Sequence, residues 1–102
     1  MNKNIKIYNT ISGKKDPIRP LKTGRINLFV CGPTVYDFQH IGNARTYVIF
    51  DCFVKYLNNL GYKVFYLQNI TDVDDKIILR AREKDVLPSD LALAFEKEYL
   101  KD

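Results

Sequence analysis

The stretch CGPTVYDFQHIGNAR, residues 31–45, gathers side chains that can do chemistry. It holds the only histidine of the chain, His40, and one of its two cysteines, Cys31. It follows an apolar run, INLFVC, and precedes a segment with helical periodicity. A histidine at the start of a helix sits where unpaired N–H groups and the helix dipole attract anions, and its imidazole can donate a hydrogen bond to a phosphate oxygen. Gly42 lets a flat base or ribose approach the backbone. Asn43 adds an amide donor. Arg45 either offers charge to the same anion or faces solvent. The alternative for His40 is a helix-capping residue with no ligand. No GxGxxG follows a strand and no GxxxxGK[ST] exists, which speaks against a dinucleotide site and a P-loop. The residues fit a mononucleotide triphosphate.

The elements that must position them follow from the pattern. Residues 5–11 alternate as a short strand, and 12–24 (SGKKDPIRPLKTG) read as a loop. Residues 26–31 are a near-continuous apolar run, the mark of a buried parallel strand. Residues 32–39 form a turn opened by Gly-Pro. From about Asn43 to Leu60 the period becomes helical, with Ile49, Phe50, Phe53, Val54, Leu57 and Leu60 on one face, and Gly61 stands where a left-handed C-cap belongs. Residues 62–68 make a second strand. Thr71 or Asp72 caps a helix over 73–85, and a last helix, capped by Ser89, runs from after Pro88 to Tyr99.

Strand, helix and strand make one βαβ unit, with parallel strands and a right-handed crossover. Ligands of such sheets bind beyond the C-terminal strand ends, where 31–43 and 69–75 meet. The organisation expected is a basic strand and loop over 1–25, a βαβ core over 26–70 and helices over 72–102. Residues 5–11 are a possible third strand of the small sheet.

Composition sets outer bounds. The 102 residues are 46% hydrophobic and 27% charged, an ordinary globular balance. No apolar run approaches the roughly 20 residues of a membrane span, and no secretory leader is evident, so a cytoplasmic protein is expected. The two cysteines are read as thiols, Cys52 as a buried core thiol in the long helix. The net charge is +4. Lys3, Lys6, Lys14, Lys15, Arg19, Lys22 and Arg25 face only Asp16 in the first 25 residues. Such an arm attracts polyanions such as RNA, or simply solubilises the surface. Residues 72–102 lean acidic.

The segment His40-Ile41-Gly42-Asn43 resembles the HIGH motif of class I aminoacyl-tRNA synthetases in a HIGN form. With FVCGPTVYD before it, NARTYVIFD after it and GYKVFYLQNITDVDDKI beyond, most of residues 5–85 resembles the cysteinyl-tRNA synthetase family. The resemblance implies an α/β, Rossmann-like (HUP-type) catalytic domain, of which this chain is the first, N-terminal half only. It implies a cysteine–tRNA ligase that activates L-cysteine with ATP and transfers it to tRNA(Cys), with Mg²⁺ and Zn²⁺ as metals. His40, Ile41, Gly42 and Asn43 would bind ATP, with His40 and Asn43 acting in catalysis. Cys31, Gly32, Thr34 and Thr71 would hold cysteine, and Cys31 would ligate zinc, which binds the substrate thiol.

Zinc needs three or four protein ligands, and by resemblance the others come from a later segment. Cys31 is otherwise a small residue at a strand end, and Thr34 a turn or cap residue. Asp74 and Asp75 suit a helix N-terminus; a Mg²⁺ site there would lean on substrate phosphates. Tyr36, Tyr62 and Tyr66 are read as packing residues. Neither a KMSKS-type loop nor anticodon-reading helices are found, so the expectation is a monomeric portion of a longer parent. Two other readings remain open: a cysteine–amino-sugar ligase of thiol biosynthesis, and a non-catalytic nucleotide-binding paralogue.

Overall fold

The structure, a computed structural model, describes residues 4–102; Met1, Asn2 and Lys3 lie outside it, and with Lys3 one cation of the basic arm. Its elements are β1 (Lys6–Asn9), β2 (Lys14–Pro17), β3 (Arg25–Val30), α1 (Ile41–Asn59), β4 (Lys63–Gln68), α2 (Asp75–Lys84) and α3 (Pro88–Lys101).

β3 and β4 pair in parallel, from Arg25 opposite Lys63 to Val30 opposite Gln68, with α1 as the crossover. The βαβ unit is therefore present as expected. β1 does not extend this sheet. It pairs antiparallel with β2, a strand inside the stretch read as a loop. The cause lies in the turn between them: Asn9 Oδ1 accepts the Ile11 N–H at 3.1 Å and Asn9 O accepts the Gly13 N–H at 2.8 Å, folding the chain back on itself. A lysine-rich strand carries no apolar alternation, so β2 left no period to read.

α1 lays Phe50, Phe53, Val54, Leu57 and Leu60 toward the sheet, with Leu57 fully buried. Ile49, expected on that face, is 54% exposed. Tyr47 takes the place instead, since 47, 50, 54 and 57 hold the i, i+3, i+4 spacing and Ile49 is displaced from that line. Cys52 lies off the stripe and is exposed, not a core thiol. The helix ends as expected: Gly61 has φ +90°, and the Gly61 and Tyr62 N–H groups bond Asn58 O and Leu57 O.

The parallel strands are covered on one face only. Phe29, Phe65 and Leu67 are 58%, 63% and 51% exposed on the other, so β3 is not the doubly buried strand its apolar run suggested. A second core, with more of the buried side chains, forms where α2 and α3 pack: Ile77, Ala81, Leu91, Ala92 and Phe95 close around Val35, with Tyr36 and Ile70 against them. Tyr36 is thus a packing residue. The radius of gyration is 17.4 Å, against about 13 Å for a compact unit of this length.

Two helix starts differ from expectation. Asp74, not Thr71 or Asp72, caps α2, its side chain accepting the Lys76 N–H; Thr71 is held in a β-bridge three residues earlier. α3 begins with Pro88, and its cap Leu87 makes no side-chain bond. Pro88 has no N–H to satisfy and a preset φ, so Ser89 falls inside the first turn.

Candidate active site

Beyond the last paired residues of β3 and β4 the two chains stay together. Gly32 N–H donates to Asn69 Oδ1 at 2.7 Å, Thr71 N–H to Pro33 O at 2.9 Å and Val35 N–H to Thr71 O at 3.1 Å. Thr34 and Thr71 form a parallel bridge. From the Val30–Gln68 pair to this bridge the first chain takes four steps and the second three. The extra residue makes a bulge at Gly32-Pro33, which brings the Gly32 backbone against Asn69. Thr34 and Thr71, read from separate motifs, are adjacent, and neither hydroxyl bonds another group among the described residues.

The rest of the segment is anchored on α2 and α3. Arg80 Nη2 pairs with Asp37 Oδ2 at 2.8 Å, and the Phe38 ring meets Phe95 edge-on at 5.1 Å. Residues 32–38 are thereby fixed at four points before the chain reaches His40.

His40 is the N-cap of α1, with extended backbone (φ −84°, ψ 149°). Its Nδ1 accepts the Gly42 N–H at 3.0 Å, so in the neutral ring the proton belongs on Nε2. Capping and ligand-binding were alternatives in the sequence. The geometry makes them compatible, since capping uses one nitrogen and turns the other into a donor. A Cβ on Gly42 would sit 3.2 Å from Nδ1, so a bare Gly42 also makes room for this ring. The helix starts at Ile41, two residues before the expected Asn43, because His40 supplies the cap. Asn43 and Ala44 N–H both reach His40 O. The Ile41 N–H is left without an acceptor among the described residues, and Ile41 itself is 80% exposed. Asn43 Nδ2 donates a long hydrogen bond to Gln39 Oε1 at 3.4 Å, and Arg45 is exposed. The donors at this helix start fit a phosphate.

Cys31, the residue after β3, is an exposed thiol whose Sγ lies 3.7 Å from Gly32 O. No three His, Cys, Asp or Glu side chains gather within metal-binding reach among the described residues. The described residues therefore do not fit a zinc site: they bring one thiolate where about three ligands are required. Nor do they fit a Mg²⁺ site, since Asp74 is engaged in capping α2.

Sequence reasoning missed Asn69, the Asp37–Arg80 pair and a group behind Cys31. In that group Tyr99 Oη donates to Gln68 Oε1 at 3.0 Å and the Tyr47 and Tyr99 rings meet at 6.0 Å. Burial raises the pKa of both tyrosines, and nearby ionisable neighbours, Cys31 among those of Tyr47, push in the same direction. Asn69 had a readable signal, since it directly follows one strand as Cys31 follows its partner. The other two join segments more than 30 residues apart and had none.

The family described as tRNA synthetases class I (C) catalytic domain matches residues 17–102. The chain belongs to this synthetase family. Its α/β architecture with a small parallel sheet and flanking helices is that of a class I tRNA synthetase catalytic domain. The cysteine–tRNA ligase of Thermoplasma acidophilum is 55% identical over 98 residues, covering 96% of this chain and 22% of the relative. The cysteine–tRNA ligases of Thermococcus kodakarensis and Clostridioides difficile are 51% and 49% identical over 98 residues, 21% of each relative. The chain thus spans about a fifth of the length of these curated relatives. The resemblance read from HIGN and its flanks holds across nearly the whole chain. No helix among the described residues is long and apolar enough to cross a membrane.

Proposed function

We propose that this chain carries the ATP- and cysteine-binding edge of a cytoplasmic, monomeric cysteine–tRNA ligase, built on the first half of a Rossmann-like (HUP-type) fold. In the reaction, the L-cysteine carboxylate attacks the α-phosphorus of ATP and pyrophosphate leaves; the terminal ribose hydroxyl of tRNA(Cys) then attacks the carbonyl of the cysteinyl-adenylate and AMP leaves. The names of these relatives support the tRNA acceptor over an amino-sugar.

The observation that carries the reading is the His40 ring at the start of α1, whose Nδ1 accepts the Gly42 N–H and leaves Nε2 to face a ligand. His40 Nε2–H and the Ile41 N–H offer hydrogen bonds to phosphate oxygens, Gly42 and Asn43 complete the ATP contact, and Arg45 adds positive charge. Asn43 Nδ2 acts with His40 on the transferring phosphate. Because Nδ1 already holds the Gly42 N–H, His40 acts as a donor to developing charge and not as a base. Gly32, Thr34 and Thr71 form the wall of the cysteine pocket, with Cys31 at its rim. Cys31 offers one of the about three protein ligands that a zinc ion requires. Mg²⁺ would accompany the ATP phosphates.

Cysteine-dependent exchange of pyrophosphate into ATP by the natural gene product tests the activity. Backbone NMR of the 102-residue chain tests the site: ATP is expected to shift the amides of residues 40–43 first. Shifts confined elsewhere would overturn the placement.

A further inference from the structure

The β1–β2 hairpin ends at Pro17 and takes no part in the site at the sheet's C-terminal edge. Its sequence reads as lysines without interleaved aromatics, but its register places Tyr8 directly opposite Lys15 and Lys6 opposite Pro17. Cross-strand partners and i, i+2 neighbours share a face. Lys6, Tyr8 and Lys15 therefore stand together on one side of the ribbon. The other side carries Ile7, Asn9, Lys14 and Asp16, with Ile7 turned to a groove shared with Ile26, Leu28 and Phe53.

Tyr8 is 64% exposed, and no ring or cation contacts it among the described residues. Lys6, Lys15 and Arg19 have no carboxylate within ion-pair distance there. Asp16, the only acid in the first 36 residues, bonds Asn9 and Ser12 on the opposite face. Arg19, two residues beyond Pro17, follows the alternation of that face, and it lines a surface depression of about 570 Å³ that reaches round the ribbon from Tyr8 and Pro17 to Ile7, Asn9 and Asp16.

We infer that this face of the hairpin binds unpaired RNA, one base stacking on Tyr8 while Lys6, Lys15 and Arg19 meet the flanking phosphates. An uncovered aromatic between unpaired cations is the arrangement that holds single strands with little regard to sequence. An acidic peptide would use the cations and leave the ring idle. A duplex would satisfy the charges but keep its bases stacked within itself. The inference is independent of cysteine activation: hairpin variants that bind RNA normally sink it and leave the ligase reading standing.

The test is fluorescence anisotropy of the 102-residue chain with a labelled, unstructured 12-nucleotide RNA. Tyr8→Ala is expected to weaken binding about tenfold and Tyr8→Phe to leave it within about twofold, as stacking requires. Lys6→Gln with Lys15→Gln, which removes no apolar contact, is expected to lower the slope of log affinity against log salt by about 1.4, at ~0.7 per phosphate contact on a single strand. Retained far-UV circular dichroism separates these effects from unfolding. Four results would each overturn the inference: no binding at low salt, equal binding of the duplexed RNA, undiminished binding by Tyr8→Ala, or displacement by polyglutamate at charge concentrations that match RNA.

Discussion

The Gly32 backbone lies so close to Asn69 that a Cβ on Gly32 would overlap the Asn69 carbonyl oxygen and come 2.7 Å from its carbon. The obstacle is main chain, so no side-chain rotation relieves it. Gly32→Ala must separate the bulge from the end of β4 and take the Thr34–Thr71 bridge with it. A loss of about 3 kcal/mol is expected, the upper part of the overpacking range. Asn69→Ala removes only the 2.7 Å bond to the Gly32 N–H, for which about 1 kcal/mol is expected. Urea unfolding of the two variants checks the order, and an Asn69→Ala variant weaker than Gly32→Ala would contradict it.

His40 separates a structural task from a chemical one by nitrogen atom. His40→Ala removes the cap, worth about 1 kcal/mol, together with the Nε2 donor. His40→Asn keeps a cap acceptor and loses the donor's reach. Both variants are expected to lower cysteine-dependent pyrophosphate exchange in the natural gene product by about a hundredfold, the usual cost of one donor to developing charge. Only His40→Ala is expected to lower the melting temperature. Equal activation by His40→Asn and the parent would show that the donor does not act.

Much of this was legible because it is local. The HIGN stretch, the βαβ periodicity and the Gly61 stop depend on neighbours within a few residues. Topology placed the segments 31–43 and 69–75 at one sheet edge, since both follow parallel strands, and the resemblance singled out Thr34 and Thr71 within them. What stayed hidden needed partners distant in sequence. Ile49 and Tyr47 differ by half a helical turn, and hydrophobicity ranks the wrong one first. The β1–β2 pairing rests on the Asn9 turn. The bulge at Gly32 shows only once the register of β3 against β4 is fixed.

The Asp37–Arg80 pair ties the segment before His40 to α2 at 2.8 Å, with both side chains more than a third exposed. Solvent screens such a pair, and a coupling of about 0.5 kcal/mol is expected. Its effect on the site exceeds its effect on stability, because it holds one of the four anchors of residues 32–38. A double-mutant cycle with Asp37→Asn and Arg80→Gln is expected to give that coupling at low salt and a smaller one at high salt. Hydrogen exchange of the 32–38 amides should speed up in either single variant while α1 stays protected.

Tyr47 and Tyr99 make the fold sensitive to alkali. Burial, first among the causes, and then neighbouring ionisable groups raise both phenol pKa values above the ordinary 10.0. The folded state therefore keeps protons that the unfolded chain begins to lose near pH 10, and by linkage stability must fall as pH rises through that range. Below it, the contribution is fully present. Tyr47→Phe and Tyr99→Phe remove one titrating group each and are expected to flatten the decline between about pH 9.5 and 11. Tyr99→Phe also gives up the bond to Gln68 Oε1, costing about 1 kcal/mol at neutral pH. Urea midpoints measured across that pH window decide the matter: a decline as steep in the double Phe variant as in the parent would assign the alkaline loss to other groups.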